Sequence, residues 1–444
     1  MSVVPNGQER VVGPQDLFFS TTDANGVLTS VNAVFAKYSA YSEVELVGSP
    51  HANLRHPEMP QGLFSLIWER LFSGRPAVAY LKNLAKDGVS YWALATLTPL
   101  GDGFLTVYSA PTNAPLQAAV AKIYADTLAH EVSVSRSGAD KDAVARAGAE
   151  YFSDRLASQG YADFDQFVRS LLPSEVAKLP RHGTPAEQMI PAAGRMQEML
   201  KANLVTEASL FELFRRLDEY VAIARELDDA KAAAATLDEA VSAAAAASPA
   251  VSKVSPVLEN AGQSAVALAQ EMIDAMSRLT LSLEFTRDSV LDLRYRIAQA
   301  KLHTDMVSSF LVELSTGRLS DEMVSNVSNL ITSFAQGISE VESTLQTTNQ
   351  SLLGVANDIA ALDADFSEFQ RMLATWRQLV VRFRLSGQLA DKLEPIDRQL
   401  NGGMTIMREL RQLGEDARTV ARPVDTSNLF GSLQQFQTAR AMSA

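Results

Sequence analysis

The 444 residues include no cysteine. Disulfides, thiolate zinc sites, iron–sulfur clusters, c-type haem attachment and cysteinyl-flavin photochemistry are thereby excluded. Histidine is scarce, with five at positions 51, 56, 130, 182 and 303. The sequence has no glycine-rich phosphate loop followed by Lys-Ser/Thr, no HExxH and no G-x-S-x-G, so it predicts no enzyme active site. No window holds the roughly 18 uninterrupted apolar residues of a membrane span. The nearest, "KAAAATLDEAVSAAAAASPAV", carries Lys231, Asp238 and Glu239 and suits a helix against protein or water. "MSVVPNGQERVV" lacks the basic region and apolar core of a signal peptide. A formal charge of -13 disfavours nucleic-acid backbones and anionic lipid as partners. The expectation is a cytoplasmic protein with no membrane span and no nucleic-acid partner.

What is present is length and apolar content, 47% hydrophobic residues over a chain too long for one ordinary core. The first 110 or so residues read as mixed structure. "LFFSTTDANGVLTSVN" is two apolar runs about Asp23-Ala24-Asn25-Gly26, a hairpin signal. Asn32 stands where an N-cap belongs, ahead of "AVFAKYS". Ser42 and Glu45 form a capping box that Gly48 can close. Pro60 suits the first turn of a third helix with Leu63, Phe64, Ile67, Trp68 and Leu71 on one face and Gly74 as its stop. "AVAYLKNL", "VSYWALATLT" and "FLTVYS" are β-rich, the first two joined by Asp87-Gly88.

From Ala114 the pattern is helical. Three short helices precede a break at "LPRHGTPAEQ"; a longer helix covers about Met196 to Asp229, and the alanine-rich tract runs to Ser248-Pro249. Steps of three and four then mark two seams. The first runs Met276, Leu279, Leu283, Thr286, Val290, Leu293, Ile297, Ala300, Thr304, Val307, Leu311, Leu314. The second runs from Val324 through Ile338, Val341, Leu345, Thr348, Leu352, Val355, Ile359, Leu362, Phe366, Phe369, Leu373, Trp376 and Val380 to Phe383. A 3.5-residue repeat this long predicts a coiled-coil seam. With Gly317 and Ser320 between the seams, an antiparallel hairpin is the economical arrangement. Gly387, Gly402 and Gly403 are expected to punctuate one or two further helices ending near Arg422. His130 and His303 are read as exposed helical histidines.

The ordered run of "DANGVLTSVN", "FAKYSAYSEVELVGSPH", "LRHPEMP", "LFSLIWERLFSGRP", "KNLAKDGVSYW" and "TPL" resembles the PAS domain of bacterial aerotaxis receptors over about residues 17–111. That resemblance implies an α+β domain, a five-stranded antiparallel sheet with small helices, that holds FAD non-covalently and reports redox state or oxygen to a chemotaxis output. Asn32 and Phe35 match the family's Asn-x-x-Phe. Arg55, His56 and Pro57 match its flavin-associated turn, Trp68 its helix tryptophan, and Asn83, Tyr91 and Trp92 its strand positions. Ala77 and Leu84 depart from it, standing where the family has tryptophan and arginine. "LVELSTGRLSDEM" is unlike the chemoreceptor tip that docks a kinase.

The resulting expectation is a tail (1–16), the PAS sensor (17–111), a helical connector (112–184), a helical alanine-rich segment (185–252), an antiparallel coiled-coil hairpin (253–385) and C-terminal helices with a tail (386–444). The α+β PAS domain is thus followed by an all-α long antiparallel coiled coil or helical bundle. The expected partners are a second copy, paired through the coiled coil, and a chemotaxis or other signalling protein. A ligand-free PAS and coiled-coil scaffold is the alternative, and a haem ligated by His51 or His56 is the other chromophore the residues allow.

Overall fold

The computed structural model describes residues 3–179, 197–213, 256–315, 321–384 and 390–422, with scattered helical positions between 219 and 229 and between 427 and 438. The expected breaks after Leu179, at Ser248-Pro249, at Gly317 and Ser320 and at Gly387 lie outside the described residues.

The strands and small helices form where local chemistry puts them. β1 (Phe18–Asp23) and β2 (Leu28–Val31) make the first hairpin. In its turn the Asp23 carboxylate accepts the Asn25 and Val27 amides at 2.9 Å, and Gly26 takes φ +77°. Asn32 caps α1 (Ala33–Ser39), and the Ser42/Glu45 box opens α2 (Glu43–Leu46). α3 (Gln61–Phe72) begins after Pro60. β3 (Ala77–Leu84), β4 (Ser90–Leu100) and β5 (Gly103–Ser109) complete an antiparallel sheet of order β2-β1-β5-β4-β3. Residues 3–16, expected as a tail, run against the Asp87-Gly88 turn. Asn6 N donates to Gly88 O at 2.9 Å, and Arg10 pairs with Asp87 at 2.7 Å.

Alternation along the strands divides the sheet into two covered faces. Phe18, Tyr91 and Tyr108 stand on the inner face. There Phe18 stacks on Tyr108 at 4.9 Å and on Tyr38 at 5.3 Å, while Phe35 meets both Phe18 and Tyr108 edge-on. The other face carries Tyr80, Trp92 and Thr98 and is covered by helices that follow in sequence, α4 (Ala114–Arg136), α6 (Phe164–Val176) and part of α7 (Pro256–Ser315), while α5 (Lys141–Ser158) packs against α3 and α4. Trp92 stacks on Tyr124 of α4, Tyr80 OH donates to Glu175 of α6, and Gln299 of α7 donates to Thr98.

Buried side chains tie these helices to the sheet and to α3. Glu175, fully buried, also accepts Thr112 N at 2.5 Å, Thr112 Oγ1 at 2.6 Å and Asn113 N at 3.0 Å. Arg70 of α3 pairs with Asp165 of α6. Glu131 of α4 accepts Gln61 N at 2.9 Å and Gly62 N at 2.7 Å. A Cβ at Gly62 would collide with the backbone of Gly148 and Ala149 in α5, and one at Gly148 with the Glu131 carboxylate.

The chain divides into two compact units, residues 1–214 with 294–341 and 425–444, and residues 215–293 with 342–424. In the second, α7, α8 (Asp321–Arg382) and α9 (Ala390–Val420) pack together. Thr348 Oγ1 donates to Ser289 O at 3.3 Å, Arg418 donates to Ala356 O at 3.0 Å, and Arg411 pairs with Asp363 at 2.8 Å. In the first unit, Arg296 pairs with Glu340, so α7 and α8 run antiparallel. Every first-seam residue from Met276 to Leu311 is buried, as are Ile338 to Phe369 and Val380 of the second. The side chains of Val324, Leu314, Leu373 and Trp376 lie outside the described residues. Met407, Leu410, Leu413 and Ala417 of α9 are buried in the same unit, so the described seam residues of that unit are covered from within the chain.

Three expectations fail for identifiable reasons. Phe383 lies past the end of α8 and is 44% exposed. Gly402 and Gly403 fall inside α9 and do not interrupt it, because tertiary burial outweighs a helix cost of about 1 kcal/mol per glycine. His303 is 2% exposed, since α7 is enclosed on all sides from 300 to 308, where Lys301 and Asp305 form a buried pair at 2.7 Å.

Phe366→Ala removes a buried seam side chain and lowers stability by about 3–5 kcal/mol. Urea unfolding followed by far-ultraviolet circular dichroism measures this; an unchanged midpoint refutes the packing described for α8.

Candidate functional site

A cleft of about 610 Å³ lies between the inner face of the sheet, α3 and the turn His51–Leu54. Proline shapes its rim. Pro50 precedes the 3-10 turn, Pro57 sits in the turn closed by Met59 N donating to His56 O at 3.0 Å, and Pro60 is extended just before α3. Arg55 bridges Asn83 at the edge of β3. Its guanidinium lies 3.3 Å from the centre of the Phe64 ring, and its Nε is buried without a hydrogen-bond partner. Burial lowers the Arg55 pKa to about 10, the Glu131 charge acting in the opposite sense. The group stays a cation at neutral pH, held against an aromatic face with reduced hydration.

α3 supplies the opposite wall through Phe64, Ser65, Ile67, Trp68 and Phe72, and the sheet gives Leu81, Leu97, Phe104 and Thr106. Trp68 packs on Phe72 at 5.7 Å and edge-on to Phe104 at 5.3 Å. Phe72, 68% exposed, forms the lip. At Gly26 a Cβ would sit 3.5 Å from the Trp68 indole, so the first hairpin turn closes directly on that ring.

His51 borders the cleft, and its Nε2 lies 2.5 Å from Tyr108 OH. Desolvation, with Arg55 adding to it, lowers the His51 pKa to about 4, so the ring is neutral at pH 7. No carboxylate lines the cleft among the described residues. Its chemistry is therefore one desolvated cation, one neutral imidazole, a few hydroxyl and amide groups, and aromatic walls. That combination suits a planar aromatic ligand carrying negative charge.

Of the nine residues singled out in the sequence, Arg55 and Trp68 line this cleft. Asn32 is 1% exposed and committed to the fold, accepting Phe19 N at 3.2 Å and Phe35 N at 3.1 Å and donating to Leu17 O. Phe35 and Tyr91 are wholly buried in the aromatic core. His56 is 4% exposed and accepts Glu58 N at 3.2 Å; desolvation and then Lys82 lower its pKa. Pro57 is exposed in the turn. Asn83 is 3% exposed behind Arg55, with Nδ2 unpartnered. Trp92 lies on the other face of the sheet, against Tyr124. The reading from sequence passed over Asn25, Gly26, Thr106 and the His51–Tyr108 pair. Strand alternation about Tyr108 was the available signal for the last of these.

Among the described residues no group of His, Cys, Asp and Glu could hold a metal ion, and no helix is long and apolar enough to cross a membrane. His130 is half-buried on α4, stacked on Tyr151 at 4.6 Å.

A five-stranded sheet flanked by small helices, with a cleft between sheet and helix, defines a PAS domain, and residues 16–105 match the PAS fold family. Over 110 residues the chain is 34% identical to the aerotaxis receptor of Escherichia coli (strain K12), a stretch making up 24% of this chain and 22% of the receptor. The chain thus matches less than a quarter of that relative's length. The blue-light activated histidine kinase EL346 of Erythrobacter litoralis is 13% identical, with 36% of this chain and 58% of that chain covered at a TM-score of 0.21, a likeness too slight to carry an argument.

His51 and His303, both held near pKa 4, and His56, also lowered, stay neutral in the fold at pH values where an unfolded chain protonates. For His51 and His303 the stabilising effect is complete above about pH 6.5 and is lost as pH falls towards 4, by up to about 1.4 kcal/mol per pH unit for each. Urea unfolding at pH 7, 6 and 5 reads this slope. His303→Gln will flatten it, and a slope equal to that of the parent chain refutes the assignment.

Proposed function

We propose that the protein is a signal-transduction sensor whose PAS cleft binds FAD and whose helices carry the redox or oxygen signal onward, in the manner of an aerotaxis receptor. The observation that carries this reading is the desolvated Arg55 cation on the Phe64 ring inside an aromatic cleft with no carboxylate. Likeness to the aerotaxis receptor supports it over the PAS segment.

The residues present fit the cofactor. Trp68, Phe64 and Phe104 would wall its ring system, and Arg55, with Nε free, would meet a phosphate or an anionic ring edge. Asn25, Thr22 and Thr106 would supply hydrogen bonds. Bound FAD would supply electron transfer at neutral pH. The chain's own part is to exclude water with α3 and the Gly26 turn, to keep His51 uncharged, and to hold Arg55 fixed through the Asn83 bridge. The segment from residue 112 would serve as connector and the helices beyond it as output to a chemotaxis or other signalling protein in a cytoplasmic setting. A second copy pairing through the coiled coil would complete the assembly.

A scaffold with a ligand-free PAS domain is the second reading, favoured by Asn32, Phe35 and Tyr91 being occupied in the fold, and by Ala77 and Leu84 being buried where the family has large polar or aromatic groups.

The purified chain will show flavin absorption, with FAD released on denaturation. Arg55→Ala and Trp68→Ala will each lose it while remaining folded by circular dichroism. A chain that stays colourless after incubation with excess FAD and removal of unbound cofactor overturns the sensor reading in favour of the scaffold.

A further inference from the structure

Three features meet at one point beside the cleft: the Glu131 carboxylate of α4, the first amides of α3, and a backbone contact between Gly62 and Gly148. Glu131 is 2% exposed and accepts both Gln61 N and Gly62 N. Two glycines allow the close approach, since a Cβ on either would strike the other helix or the carboxylate. α3 is also pinned at its far end, where Arg70 pairs with Asp165 of α6 and donates to Pro76 O at 2.9 Å. The helix between these pins carries Phe64 and Trp68 into the cleft.

We propose that Glu131 is the joint through which a change of charge in the cleft reaches α4, acting as a positioning residue for α3. This rests on the reading that the cleft takes an anionic aromatic ligand. Arg55 and Glu131 meet the same helix: the Arg55 guanidinium faces the cleft over Phe64, one turn on from the Gln61 and Gly62 amides that Glu131 accepts, and the Glu131 charge offsets part of the Arg55 desolvation. With the cleft neutral, the Arg55 field holds the carboxylate in place at the α3 N-terminus. A negative charge set against Arg55 cancels that field and repels Glu131, and the hydrogen bonds to Gln61 and Gly62 weaken. Because Gly62 rides directly on Gly148, α3 cannot shift without moving against α5, and α4 carries the glutamate itself. Charge in the cleft thus becomes a displacement between α3 and α4.

The test is hydrogen exchange with mass spectrometry on the full chain, reading the amides of Gln61 and Gly62. Four proteins are compared without ligand: the parent, Arg55→Gln, Glu131→Gln and the double variant. Glu131→Gln will exchange about tenfold faster at these amides. Arg55→Gln, which mimics cancellation of the cation, will also speed exchange in the parent background but will add nothing in the Glu131→Gln background. Additive effects overturn the proposal, since a purely structural cap would not sense Arg55. If Glu131→Gln fails to fold, Glu131→Asp replaces it in the same cycle. A second arm adds FAD to the parent. Faster exchange at Gln61 and Gly62, absent in Glu131→Gln, is expected, and binding without that change overturns the joint. If FAD does not bind, the function reading falls and the ligand-free cycle alone decides the role of Glu131.

Discussion

A carboxylate withdrawn from water must be met by donors, and in the first unit that requirement fixes how the PAS domain meets its helices. Glu175 collects Tyr80 OH from β3 and the Thr112 and Asn113 amides from the segment leaving β5. Glu131 collects the first amides of α3. In each case the donors belong to the PAS domain or its exit and the acceptor to a helix that follows it. Leaving such a group unpaired costs about 1–3 kcal/mol or more, so neither helix can pull away without substitute donors. The contacts that stabilise the unit are also the ones any signal must strain.

The cleft follows from the same geometry. α3 is pinned at Gly62 and at Arg70, and the turns between those points aim Phe64 and Trp68 at the sheet. Arg55 then has Phe64 beneath it and no carboxylate within the cleft lining. An isolated cation in such a place is retained when something else repays its desolvation. The Glu131 charge offsets part of that cost.

Much of the PAS fold was legible because its signals are local. Asn32, the Ser42/Glu45 box, Asp23 with Gly26, and Asp87-Gly88 each specify one turn or cap by short-range chemistry, and each element appears where these residues put it. The seams were legible because spacing alone defines them. The cleft was less so: Asn32, Phe35 and Tyr91 carry the motif yet are consumed by the core, whereas Gly26, legible only as a turn, and Thr106 line the cleft through turn closure and strand alternation. Glu131 was hidden next to the more conspicuous His130, because its function depends on two amides about 70 positions away.

The histidine on α7 shows why charge in a sequence does not report exposure. Lys301, His303 and Asp305 read as a solvated face, since charged residues are seldom fully buried. Lys301 and Asp305 instead pair across one turn at 2.7 Å, and Asn203 donates to Thr304 O and Ser308 Oγ from the helical stretch 197–213. A helix buried on every side needs either an apolar sequence or internal partners for its polar groups. Here the partners lie one turn away or on a helix about 100 residues earlier, and only the first kind is visible in a sequence window. The Lys301–Asp305 pair lies within α7 and moves with it, contributing little net stability beside an apolar packing of equal volume. The Asn203 bonds to Thr304 O and Ser308 Oγ instead join α7 to another helical stretch, and they restrict its axial position where the apolar seam, repeating every three or four residues, would tolerate a slip.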